Sequence, residues 1–275
     1  MRHATGESIA TTIGNTGQWP LDKLRAMIPA IRARPLGLVL LTVFWGLSPT
    51  MPLQAGQKHA ARLFKVSTAA DPGTAFVIGP AENGRCVLLT ALHVIRANAS
   101  NEPLLFQAPA GSRLSLKNSA FTRDVDLDLA FVPLASCKDS LALPLARATT
   151  IVVSKKVQVM GYPVDMEAVH KAQVVPSIVS GRITQFNDVN GYDLNYDAGT
   201  KPGFSGGPVI SDKGDELLAL HGFSDTVGNV QDPSLRERLR VGGRGVSSAL
   251  IYRFLKQYGY VLPRTQTEIC LVGVC

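Results

Sequence analysis

The sequence predicts an all-β chain, a barrel or sandwich closed by a single helix. Three observations carry this expectation. Apolar runs are short and rich in Val and Leu, and turn residues separate them, with 25 Gly and 17 Pro in 275 residues. Only one segment, 249–258, has a helical period: Leu250, Phe254 and Leu255 share one face and Arg253 and Lys256 the other. Many short strands without interleaved helices exclude an α/β layout. A hydrophobic content of 45% is ample for one large domain or two modest ones.

In chain order, the first element stands outside the β pattern. Residues 36–47 form an apolar run of twelve, preceded by Arg32 and Arg34 and followed by Ser48, Pro49 and small residues near Ala55. That order of charge, apolar run and small residues is the order of a secretory signal. The run is short for a permanent membrane span. The polar stretch before it is long for a signal, and a start at Met27 gives a more ordinary one; an uncleaved signal anchor is the alternative. Residues 1–56 are thus expected to be a leader and 57–275 the exported domain, periplasmic or secreted, with any membrane contact made through the leader. Strands are expected at 74–79, 86–92, 104–107, 113–117 and 127–134. A second set is expected at 157–162, 174–186, 192–197, 209–210, 217–221 and 245–247. The charged stretch 225–244 reads as a surface loop.

Charge narrows the partners. The net charge is +7, but the first 56 residues hold five Lys/Arg against two Asp/Glu, leaving +4 over the rest. No dense basic patch interleaved with aromatics occurs, which disfavours nucleic acid. The four cysteines, Cys86, Cys137, Cys270 and Cys275, suit disulfides in an exported chain. No Cys–His spacing suggests zinc, and no metal or organic cofactor is expected.

The chemistry centres on Gly203-Phe204-Ser205-Gly206-Gly207-Pro208. Glycine and proline there cannot begin a stable helix, so Ser205 is expected on a tight turn between strands. Such a turn aims the N–H groups of Gly203 and Ser205 at one point, as an oxyanion hole requires. A serine hydroxyl also needs a base. His3 and His59 lie in or beside the leader, and His170 sits in a polar stretch with Asp165 and Glu167. His93 ends the apolar run 87–92 and is the candidate. Asp124, Asp126 and Asp128 alternate before Leu129, which places all three on one face of a strand. Asp128, hard against the apolar run, is the one positioned to hold an imidazole.

The order His93, Asp128, Ser205, with Gly-Gly-Pro after the serine, counts against an α/β-hydrolase. It resembles the trypsin/chymotrypsin-like serine proteases, in particular the HtrA-like and glutamyl-endopeptidase branches. Thr90-Ala91-Leu92-His93-Val94, Asp128-Leu129-Ala130-Phe131 and Gly203 to Pro208 are similar to that family's three motifs. Met160-Gly161-Tyr162-Pro163 and Ser180-Gly181-Arg182-Ile183 resemble its second-barrel strands. The resemblance implies two six-stranded antiparallel β-barrels, about 63–145 and 150–248, with the C-terminal helix after them. It implies a serine endopeptidase acting on proteins or peptides; a catalytically silent binding protein of the same fold is the alternative. Two departures stand out. Phe204 replaces the aspartate with which zymogen-type members pair a new N-terminus. The chain also ends soon after Tyr258, so the PDZ-regulated behaviour of many HtrA-like proteins is not expected.

Two further expectations follow. If the strands of His93 and Asp128 are antiparallel neighbours meeting at the cleft, their far ends bring Cys86 and Cys137 to bridging range, since both lie a similar number of residues away. Cys270–Cys275 is then the second bridge. For specificity, Thr200, His221 and Ser224 match the polar trio of glutamyl endopeptidases, and two hydroxyls with an imidazole N–H suit a buried carboxylate. The competing expectation is a pocket for small or apolar side chains, with His221 merely packed.

Overall fold

A computed structural model describes residues 55–68, 72–99, 101–109, 111–138, 140–164, 175–226 and 240–264. Residues 1–54 of the leader, His170, Cys270 and Cys275 lie outside the described residues. The first half runs α1 (Ala55–Ala60), β1 (Leu63–Ser67), β2 (Gly73–Ile78), β3 (Cys86–Ala91), α2 (Leu92–Arg96), β4 (Pro103–Gln107), β5 (Arg113–Lys117), β6 (Thr122–Asp124) and β7 (Leu129–Leu134). The second runs β8 (Lys156–Gly161), β9 (Ser177–Val189), β10 (Tyr192–Tyr196), β11 (Pro208–Ser211), β12 (Leu217–Thr226), β13 (Arg240–Ser247) and α3 (Ser248–Gln257).

Named strands pair antiparallel throughout. The second half closes into a six-stranded barrel in the order β10-β13-β12-β11-β8-β9. The first is a seven-stranded half-barrel, β5-β4-β1-β2-β3-β7-β6. Its extra member is β6, three residues laid along β7.

Burial follows composition. β2 and β3 are buried at every residue, so they read as continuous apolar runs rather than alternating ones. β5 lies at the sheet edge, with Arg113, Ser115 and Lys117 exposed and Leu114 and Leu116 half-buried. That charged alternation discourages edge pairing. α3 begins where the Ser247 side chain accepts from Leu250 N–H. Asp193 of β10 accepts from both the N–H (2.7 Å) and the hydroxyl (2.6 Å) of Ser247. Ile251, Phe254 and Leu255 are the buried face of α3, and Phe254 meets Phe131 edge-on at 5.4 Å.

Three local expectations are corrected. His93 does not end a strand: β3 stops at Ala91 and His93 lies in the first turn of α2. The β-branched Val94 and Ile95 disguise this short helix. Asp124, Asp126 and Asp128 do not share a strand face, because β6 ends at Asp124 and the chain turns before β7. The Asp124 carboxylate accepts from the N–H groups of Asp126 and Leu127 and so builds that turn (both 3.0 Å). Finally, β12 and β13 extend into both ends of the charged stretch 225–244, whose middle lies outside the described residues.

Candidate active site

Paired as antiparallel neighbours, β3 and β7 bring Ala91 opposite Leu129 and Cys86 opposite Leu134. Leu92 N–H donates to Asp128 O at 2.8 Å, which ties the start of α2 to the start of β7. Asp128 then grips His93 twice. Its Oδ1 accepts from His93 N–H at 2.8 Å, and its Oδ2 lies 2.6 Å from His93 Nδ1. The Tyr192 hydroxyl donates to the same Oδ2 at 2.5 Å. Asp128 has φ 50°, a left-handed conformation that aspartate tolerates better than most residues. Burial pulls its carboxyl up, but the hydrogen bonds from His93, the His93 charge and the Tyr192 hydroxyl outweigh burial and hold it below 3.8. Burial, and then the Asp128 carboxylate, push Tyr192 above its ordinary range.

At the other end of this ladder Cys86 and Cys137 are bridged, their Cα atoms 5.4 Å apart. The expected pairing is present because the ladder has the expected register.

Ser205 lies on the connection from β10 to β11. Gly203 (φ 91°) and Gly206 (φ 85°) take conformations open to glycine. A Cβ on either would come within 2.1 Å of a backbone oxygen, Tyr162 O and Thr74 O respectively. Thr74 of β2 pins this turn to the first sheet. Its N–H donates to Ser205 O (2.8 Å), its hydroxyl donates to Gly203 O (2.7 Å) and the same hydroxyl accepts from Tyr162 N–H (3.0 Å). Among the described residues, the N–H groups of Gly203 and Ser205 have no protein acceptor. Ser205 Oγ donates to Gly222 O at 3.2 Å and, among the described residues, makes no hydrogen bond to His93. Phe204, where zymogen-type members carry aspartate, is fully buried.

Thr200, His221 and Ser224 converge as well. Thr200 Oγ1 and Ser224 Oγ are 2.7 Å apart, and Ser224 Oγ is 3.5 Å from His221 Nε2. The Tyr196 hydroxyl bonds to His221 Nδ1. Thr200 and His221 are fully buried. Thr74, Tyr192 and Tyr196 are absent from the sequence-level set. The two tyrosines share a face of β10 by period two, a signal visible in the sequence, but their partners lie 64 and 25 residues away. Among the described residues no group of three or more His, Cys, Asp or Glu is arranged to hold a metal ion.

Comparison with known proteins bears on the fold and the family. A search of curated proteins returns no match. Among solved structures, the HtrA-type protease AlgW with a tripeptide aligns over 75% of this chain and 64% of its own, at 19% identity and a TM-score of 0.54. The serine endoprotease from Yersinia pestis aligns over 75% and 66%, at 18% identity and 0.54. The inactive form of Rv3671c from M. tuberculosis H37Rv aligns over 74% and 90%, at 18% identity and 0.50. The chain thus spans just under two thirds of the AlgW and Yersinia chains, and the likeness is one of fold. Residues 73–220, more than half of the sequence, match the trypsin-like peptidase domain. That segment holds His93, Asp128 and Ser205, and on this match the chain belongs to the trypsin-like peptidase family.

Proposed function

We propose that the chain is a serine endopeptidase in which Ser205, His93 and Asp128 act as one unit on peptide bonds. One observation carries the reading. A doubly held Asp128–His93 pair sits on the first sheet, and on the second barrel a serine turn presents two N–H groups that, among the described residues, have no protein acceptor. Ser205 Oγ leaves Gly222 O, turns to His93 Nε2 and attacks the carbonyl carbon as His93 takes its proton. The Gly203 and Ser205 N–H groups hold the tetrahedral oxyanion, each worth about 3–4 kcal/mol of barrier. His93 then protonates the leaving amine, and water releases the acyl group by the same steps in reverse.

For the residue before the cut, the reading favours glutamate. The Tyr196 hydroxyl at Nδ1 supports the neutral His221 tautomer that carries its proton on Nε2. A substrate carboxylate would replace the Thr200–Ser224 hydrogen bond with one from each hydroxyl and one from that N–H. The Cys86–Cys137 bridge fits export of the domain, 57–275, behind its leader.

The test is a fluorophosphonate probe together with peptides that differ only as Glu, Leu or Lys before the cut. The full chain is expected to be labelled and to cut fastest after Glu. Ser205→Ala is expected to lose labelling and on the order of 10⁴-fold or more in rate. Labelling with faster cleavage after Leu, unaltered by His221→Ala, would replace the acidic pocket with an apolar one. No labelling and no cleavage would favour a protease-fold binding protein.

A further inference from the structure

The tip of the β9–β10 hairpin belongs to the second barrel but seats on the Asp128 turn of the first sheet. Gly191, with φ 82°, approaches so closely that a Cβ would lie 2.0 Å from Asp126 O. The next residue, Tyr192, lays its ring over Gly222, where a Cβ would lie 2.0 Å from Tyr192 Cε1. The ring thus fills space that Gly222 leaves open. Its hydroxyl ends 2.5 Å from Asp128 Oδ2, the oxygen that also holds His93 Nδ1. Gly222 O in turn is the acceptor of Ser205 Oγ. One aromatic side chain therefore touches the carboxylate on one side of the cleft and the strand beside the serine on the other.

We propose that Tyr192 is a positioning residue for the triad, holding Asp128 from the second barrel and setting how much of its charge His93 feels. This rests on the serine-endopeptidase reading above. A carboxylate oxygen shared between two donors spreads its charge over both bonds. If the tyrosine donor is removed, more of that charge falls on His93, the imidazolium is favoured and the ring holds its proton to higher pH. Among the described residues, the charged groups that act on this pair are His93, which faces Asp128 directly, Asp128 itself, which faces the Tyr192 hydroxyl, and Arg96, which acts on Tyr192 from the far end of α2.

Tyr192→Phe keeps the ring over Gly222 and removes only the hydroxyl. In the full chain with Ser205→Ala, the pH midpoint of the His93 ring resonances by NMR is expected to rise about half to one pH unit when Tyr192→Phe is added. With Ser205 intact, the acid limb of kcat/KM is expected to move up by the same amount, while kcat falls roughly three- to tenfold with KM little changed. A variant that loses thermal stability but keeps both midpoints would overturn the proposal and leave Tyr192 a packing residue. The NMR shift does not depend on turnover. A shifted midpoint in a chain that cleaves nothing would therefore uphold the Tyr192 contact while defeating the protease reading.

Discussion

Asp128 concentrates the opposing forces of the site in one side chain. Burial alone would favour its neutral form, yet three donors converge on it and the carboxylate wins. Because its folded value lies below 3.8, the unfolded chain takes up this proton first as pH falls. The stability it contributes is complete at neutral pH and drains away as pH drops through 3.8 and on through the lower folded value. Asparagine keeps the shape and tolerates the left-handed backbone, but it does not titrate there. Urea unfolding at about pH 7 and about pH 3 should accordingly show a smaller acid-induced loss for Asp128→Asn than for the parent chain. Equal losses would mean that the carboxylate is not held as described. The same variant should lose about 10⁴-fold in kcat at neutral pH, because an amide supports the wrong imidazole tautomer.

The β3–β7 ladder sets two distant features at once. One end joins Ala91 to Leu129 and so brings His93 to Asp128, while the other brings Cys86 opposite Leu134 and within reach of Cys137. The bridge spans 51 residues of sequence, and closing such a loop stabilises by about 4 kcal/mol in the chain-entropy picture. Replacing both cysteines by alanine should lower the unfolding free energy read from urea titration by roughly 2–4 kcal/mol. Activity well below the melting temperature should be unchanged, since the bridge is at the end of the ladder away from the site. A fall in kcat at low temperature would show that the ladder transmits strain along its length. This pairing was readable because strand geometry turns similar residue counts, seven and nine here, into similar distances. The same rule misread the aspartates, since alternation in sequence does not reveal that Asp124 folds the chain back on itself. α2 was hidden because its five residues are too few for a helical period and two of them are β-branched.

At the scale of the whole molecule the site is an assembly problem, since the first sheet supplies His93 and Asp128 and the barrel supplies Ser205. Local patterns singled out these three residues as candidates because each sits in a motif of its own in the sequence. They could not identify what joins the halves, because Thr74 and Tyr192 act through contacts 129 and 64 residues long. Thr74 is fully buried, and its hydroxyl serves Gly203 O and Tyr162 N–H together, so one side chain fixes the turn proposed to form the oxyanion hole against β2 and the end of β8. Thr74→Val has nearly the same shape and keeps the backbone bonds of β2, but it leaves both partners buried without their bond. Each such loss costs about 1–3 kcal/mol, so the melting temperature should fall by several degrees. The Gly203–Phe204 peptide, which directly follows the Gly203 N–H, loses its anchor at the same time. Cleavage should therefore fall through kcat, with KM nearly constant, because the lost interaction is one made to the oxyanion rather than to the bound substrate. Steady-state kinetics well below the melting temperature separate the two effects. A destabilised Thr74→Val chain with the parent's kcat would show that Thr74 joins the halves without shaping the oxyanion turn.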